Sequence, residues 1–338
     1  MQLERAGRSS RVVVFIPAQP AVWSAGFSAY TRAMLRLEDL AELATRHAGE
    51  LHHPVREFAV GGLAFEWNQR PALMGVVNLS ADSWYRESVC LSAEAAVRRG
   101  RVLHAQGAGI VDVGAESTLS QAARVDASGQ TNRLLPVVRE LSAAGIPVSV
   151  ETYEPAVTRA CLEAGAAVLN LTGTLGADEV FRMVAAQDAA VIICHVQGDN
   201  VREVTDLELA ADPVAPLLDF FARQTERAER AGVRKLFIDP GLGFYYRNLH
   251  DSAGRIRRQI EVFLNSFRLR RLGWPICHAL PHAFECFGEE VRCAEPFFAV
   301  LAALGQTGLF RTHEVARTRA VLETLACFGR GAESLAPA

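Results

Sequence analysis

The chain has 338 residues, 50% of them hydrophobic and 22% charged, with a net charge of −3. That balance suits a globular protein with a large core and excludes the basic footprint of a nucleic-acid binder, since no long Lys/Arg block offsets it. No apolar run approaches the roughly 18 residues of a membrane span.

Seven cysteines at irregular spacing, with no C-x-x-C, read as reduced thiols and point to the cytoplasm, as does the lack of a signal-peptide pattern. Residues 1–54 form an N-terminal extension. Within it, 11–17 reads as a strand, and 28–47 has helical spacing through Leu35, Leu37, Leu40, Leu43 and Ala44. A small α/β unit fits this stretch, and so does an oligomerisation arm that would make a homodimer. Residues 55–67 read as a hairpin turning at Gly61-Gly62. Strand-like runs then follow at 72–77, 110–113, 147–150, 167–169, 190–194, 235–238, 275–277 and 308–310. Helical patterns separate them at 93–106, 132–144, 155–164, 178–187, 213–231 and 253–267, with another at 315–327. Several of these stop at a glycine before the next strand, namely Gly107, Gly145, Gly165 and Gly232. The alternation predicts an α/β fold, a (β/α)8 TIM barrel over 55–330. The hairpin would close its bottom, and 331–338 would be a tail.

The site of such a barrel lies where the strands end. Asn78 follows the first apolar run, and Glu116, Ser117 and Thr118 the second. Glu151 and Thr152 follow the third, Asn170 the fourth and His195 the fifth. Asp239 opens the sixth loop as Asp239-Pro240-Gly241-Leu242-Gly243-Phe244, where two glycines let the backbone turn beside a ligand. His278 and His282 belong to the seventh run, Arg311 and His313 to the eighth. Any one of these could be a loop cap; together they read as a binding site for a small molecule. Carboxylates and an amide on adjacent strands suit a planar heterocycle rich in N–H groups. Asn78, Arg311 and His313 suit an anion or a metal-bound phosphate. Cys277, His278, His282 and Cys286 match no zinc spacing, so no metal site is assigned.

From about 55 to 330 the chain resembles dihydropteroate synthase, the pterin-binding barrel of folate synthesis. The resemblance rests on MGVVN with Asp82-Ser83, on DVGAEST at 112–118, VSVETY at 148–153 and VLN at 168–170. Cys194-His195 with Gly198, DPGLGF at 239–244 and RTHEV at 311–315 complete it. It implies that Glu151, Asn170, Asp239 and Phe244 line a pterin pocket, and that Asn78, Arg311 and His313 hold the leaving anion. The ligand would be a reduced pterin or tetrahydrofolate derivative, with Mg2+ accompanying a phosphate-bearing substrate.

Departures from the family pattern redirect the expected reaction. Glu151 replaces an aspartate, Leu171 another, and Leu119-Ser120 an arginine-proline pair. Pro281-His282-Ala283 replaces serine-arginine-lysine. The sole lysine, Lys235, opens the sixth strand at the opposite end of the barrel. The expected function is therefore a one-carbon type of transfer, from the pterin to a small-molecule acceptor other than p-aminobenzoate. A weaker similarity to the pterin domain of methyltetrahydrofolate–corrinoid methyltransferases points the same way. His282, with His195 as its competitor and Glu151 at the pterin edge, are the candidate catalytic residues. A non-catalytic pterin-binding scaffold or sensor, or a dihydropteroate synthase with a rebuilt second pocket, are the alternatives.

Overall fold

The computed structural model describes residues 34–83, 85–119, 122–244, 246, 248–249, 251–280 and 282–328. The strand expected at 11–17, the beginning of the helix expected at 28–47 and the tail at 331–338 lie outside the described residues. The chain divides into two compact units between Ala48 and Gly49. In the first, helix α1 (Leu37–Arg46) starts where the Arg36 amide donates to Asp39 Oδ2 at 2.8 Å, and none of its residues is buried.

The second unit is the barrel. Its strands are β1 (Ala72–Asn78), β2 (Ile110–Gly114), β3 (Val148–Thr152) and β4 (Val168–Leu171), then β5 (Ala190–Cys194), β6 (Leu236–Asp239), β7 (Cys277–Ala279) and β8 (Leu309–Thr312). Around the sheet they run β6-β5-β4-β3-β2-β1-β8-β7. Every paired neighbour is parallel, and one parallel bridge, Ile238 to Ile276, brings β6 to β7 and nearly closes the barrel. Helices buried along one stripe cover the outside: α2 (Ala93–Ala105), α3 (Ala127–Ala143), α4 (Pro155–Glu163), α5 (Ala177–Ala186), α6 (Ala215–Arg230) and α7 (Ser252–Asn265). Their starts are written in the sequence. Ser92, Asp126 and Asp251 each accept a first-turn amide as N-caps, of Ala95, Gly129 and Gly254. The stops are too, because Gly107, Gly145, Gly165 and Gly232 all take positive φ.

Three features differ from the sequence expectation. First, residues 55–67 form no regular hairpin; one antiparallel bridge joins Val60 to Leu63. Side chains do the pairing instead. Asn68 bonds both backbone groups of Val55, at 2.8 and 2.7 Å, and Glu57 accepts the Trp67 amide at 2.7 Å. Val55, Val60 and Trp67 still enter the core with Met74, Ile110, Val168, Phe237 and Leu309. Second, two helices that no helical pattern marked, α8 (Phe284–Phe287) and α9 (Ala294–Leu304), join the expected α10 (Val315–Ala326) to complete the shell. Of these, α9 reads AEPFFAVLAAL, so apolar on most faces that no helical period shows. Third, strand pairing runs past several apolar runs. β3 includes Glu151 and Thr152, β6 includes Asp239 and β8 includes Arg311. These polar groups are strand residues, held by the ladder rather than by loops.

Candidate active site

Asp112 is the hub of the site. It lies inside β2, fully buried, and accepts from Ser149 Oγ at 2.6 Å and from Asn170 Nδ2 at 3.3 Å. Arg311 reaches it from β8, with Nε 2.7 Å from Asp112 Oδ2, while the other end of the guanidinium lies 3.2 Å from Glu151 Oε2. Four strands are thus tied together by one set of charged side chains at the mouth of the barrel. The Cys194 thiol lies 3.5 Å from Asn170 Oδ1 and 3.7 Å from Asp239 Oδ2, extending the set to β5 and β6.

Glu151, Asn170, Cys194, Asp239 and Arg311 line a cavity that is open to solvent, with Asp112 buried behind them. Asn78, Glu116, Ser117 and Thr118 form one side, with Thr172, Gly243, Phe244, Ala279 and Phe284 elsewhere on the wall, and His313 beside Arg311. Burial pushes the Glu151 carboxyl up to about 7 even though Arg311 pulls the other way. Burial likewise lifts Asp239 to about 6, against the opposing bond from the Gly241 amide at 2.8 Å. Both carboxyls therefore keep their protons to higher pH than an ordinary acid does. Glu116 differs: the Tyr153 hydroxyl (2.6 Å) and the Val125 amide (2.9 Å) occupy both its oxygens.

The loop after β6 is shaped by Gly241. It has φ +69, and a Cβ there would stand 2.1 Å from the His195 carbonyl oxygen. No side chain fits. The glycine lets Asp239 bond the loop's own backbone while Phe244 comes down onto the cavity wall.

Comparison with known proteins agrees with this geometry. The model of the pterin binding enzyme family matches residues 74–275. The chain belongs to that family. The dihydropteroate synthase of Mycobacterium leprae is 31% identical over 266 residues, covering 76% of this chain and 92% of that protein. That of Synechocystis is 28% identical over 221 residues, 64% of this chain and 73% of the other. Among solved structures, Xanthomonas albilineans dihydropteroate synthase with 4-aminobenzoic acid superposes with a TM-score of 0.68 at 29% identity, covering 81% of this chain and 98% of that one. The chain is thus a dihydropteroate synthase-like, pterin-binding transferase.

Of the residues singled out in the sequence, Asn78, Glu151, Asn170, Asp239, Phe244, Arg311 and His313 all line the one cavity. His282 and His195 do not. His282 is buried, with Nδ1 3.2 Å from Gln259 Nε2 and Nε2 2.9 Å from the Ala279 carbonyl oxygen. It packs against Phe263 and Phe298, and burial holds it down at about 4. The reason is register. β7 runs to Ala279, beyond the apolar run, so residue 282 lies three past the strand end, with its ring bonded back to the Ala279 carbonyl oxygen. His195 packs edge-on to Phe220, also held down at about 4 by burial, and faces a neighbouring pocket with Leu207 and Arg258. Lys235 binds Asp188 at 2.8 Å, at the end of the barrel opposite the cavity. Ser120 and Pro281 lie outside the described residues. Among the described residues, no group of three or more His, Cys, Asp or Glu is placed to hold a metal, and no helix is long and apolar enough to cross a membrane.

Sequence reasoning named no role for Asp112, Cys194 or Glu295. A signal for the first was present, a carboxylate inside the apolar run Ile110-Val111-Asp112-Val113. Such a group is placed there only if buried partners neutralise it.

Proposed function

We propose that the chain binds a reduced pterin against Glu151, Asn170 and Asp239 and transfers a carbon unit attached to it to an acceptor other than p-aminobenzoate. The ring N–H groups would satisfy the two carboxyls that burial has lifted. Asn78, Arg311 and His313 would receive the anion that leaves that carbon with its bonding electron pair. The acceptor's nucleophile then forms the new bond and gives up its proton. A Mg2+ ion, if used, would arrive on the phosphate of the substrate.

One observation carries the choice of acceptor. Arg311 is the only guanidinium lining the cavity among the described residues, and in this reading the leaving anion takes it. The wall reached from the seventh strand is lined by Ala279 and Phe284. An acceptor carboxylate would meet apolar groups on that wall and no cation among its described residues. A second reading, dihydropteroate synthase with a rebuilt second pocket, is favoured by the names of the relatives.

The test is to supply a dihydropterin pyrophosphate with either 4-aminobenzoate or uncharged amines and follow pyrophosphate release and product mass. Release with uncharged acceptors and none with 4-aminobenzoate is expected. Brisk condensation with 4-aminobenzoate would establish the second reading. Absence of any pterin bound in native mass spectra would remove both and leave a scaffold of another kind.

A further inference from the structure

Glu295 is a carboxylate with 0% exposure, on α9. Its Oε2 accepts from the Thr312 hydroxyl, from the His313 amide at 2.8 Å and from the Glu314 amide at 3.1 Å. Its Oε1 lies 2.7 Å from Nδ1 of His313. With three donors on one oxygen, the Glu295 carboxyl is placed as an acceptor on its other oxygen too. The ring nitrogen facing its other oxygen must therefore carry the hydrogen. The imidazole is held from a second side as well. Its plane lies on Tyr85 with centroids 4.1 Å apart and 7° between planes. The Tyr85 hydroxyl donates to Glu314 Oε1 at 2.6 Å, and Arg292 grips the same carboxylate at 2.7 Å. Arg99 holds the His313 carbonyl at 3.1 Å. His313 is one of the residues lining the cavity, with Asn78 and Arg311.

We propose that Glu295 is a positioning residue for His313: it fixes the Nδ1–H tautomer and the plane of the ring, so that Nε2 is the nitrogen a bound anion meets. The role rests on the reading that Asn78, Arg311 and His313 form the anion end of the cavity. It gives α9 a task in the site, although none of its residues lines the cavity. Carboxylate partners of this kind commonly set which imidazole nitrogen works.

Imidazole 15N NMR of the full chain tests it, with His313→Gln to assign the resonance. Wild type should show the hydrogen of the neutral ring on Nδ1; Glu295→Gln should show both tautomers in exchange. In calorimetry, Glu295→Gln should weaken inorganic pyrophosphate by about tenfold or more. Dihydropterin affinity should stay within about twofold. Glutamine keeps a carbonyl oxygen for the two backbone amides, and the wild-type spectrum decides even if that variant does not fold. A wild-type His313 in the Nε2–H form overturns the proposal, as does unaltered pyrophosphate affinity in Glu295→Gln. Wild type that binds no pyrophosphate overturns the anion end and this proposal together. Wild type that binds pyrophosphate but no dihydropterin overturns the function alone.

Discussion

Asp239 ends β6 and His282 follows the neighbouring β7, yet their surroundings give them opposite parts. Asp239 is a cavity carboxyl with one oxygen committed to Gly241. If a pterin N–H pairs with the other, Asp239→Ala should weaken dihydropterin binding by about 1.5–3 kcal/mol, the worth of a hydrogen bond to a charged group. Calorimetry reads this directly, and equal affinities would remove Asp239 from the pocket. His282 has both ring nitrogens engaged within the wall and two phenylalanine neighbours. His282→Ala should therefore cost about 2–4 kcal/mol of stability through the space it leaves. Dihydropterin affinity should hardly change, and a loss of binding without a fall in melting temperature would restore it to the site.

The loop after β6 is the element on which the site turns. Its glycine is required by conformation and by space together, since any Cβ at 241 meets the carbonyl oxygen of His195 on the adjacent chain segment. Gly241→Ala should cost about 1–3 kcal/mol, as expected of a residue held in a strained backbone region. It should also weaken dihydropterin binding, because the same peptide presents the amide that orients Asp239. A variant melting with the wild type and binding as well would mean the loop moves freely. The opposite end of the barrel shows how an element can be replaced by side chains. Asn68 and Glu57 satisfy the backbone that a hairpin ladder would otherwise satisfy, so Trp67 reaches the core without a strand beneath it.

Across the whole molecule, the buried acids couple folding to pH. Glu151 and Asp239 have ordinary values of 4.5 and 3.8 and are lifted by burial to about 7 and about 6. The folded chain therefore holds these protons more tightly than the unfolded one. Their contribution to stability is complete below the ordinary carboxylate range and is lost as pH rises through about 6 and then about 7. Thermal unfolding without ligand should show the melting temperature falling over that interval, and Glu151→Gln should flatten the fall. A profile that Glu151→Gln leaves unchanged would mean that Arg311 already neutralises the carboxylate. Binding runs the other way, since a pterin N–H needs the ionised form; affinity should rise over the same interval.

The eight-fold alternation, the helix stops at glycine and the polar groups after each apolar run were legible in the sequence because each is local. Strand period, cap chemistry and left-handed glycine act within a few residues. The same signals brought Asn78, Glu151, Asn170, Asp239, Arg311 and His313 to one mouth, since a parallel barrel puts all strand ends on one side. What lay beyond the sequence was whatever depended on partners far along the chain. Asp112 is recognisable as the hub only once Arg311, 199 residues away, is seen against it. His282 looked like a site residue until β7 was found to run to Ala279 and turn the imidazole into the wall. Glu295 lay in a stretch too uniformly apolar to show a helix, and its meaning came only from the three consecutive residues, Thr312 to Glu314, that fold onto its carboxylate. Burial and pairing are properties of the closed barrel, so the charge state of each acid, and the nitrogen each histidine offers, were decided by the tertiary structure alone.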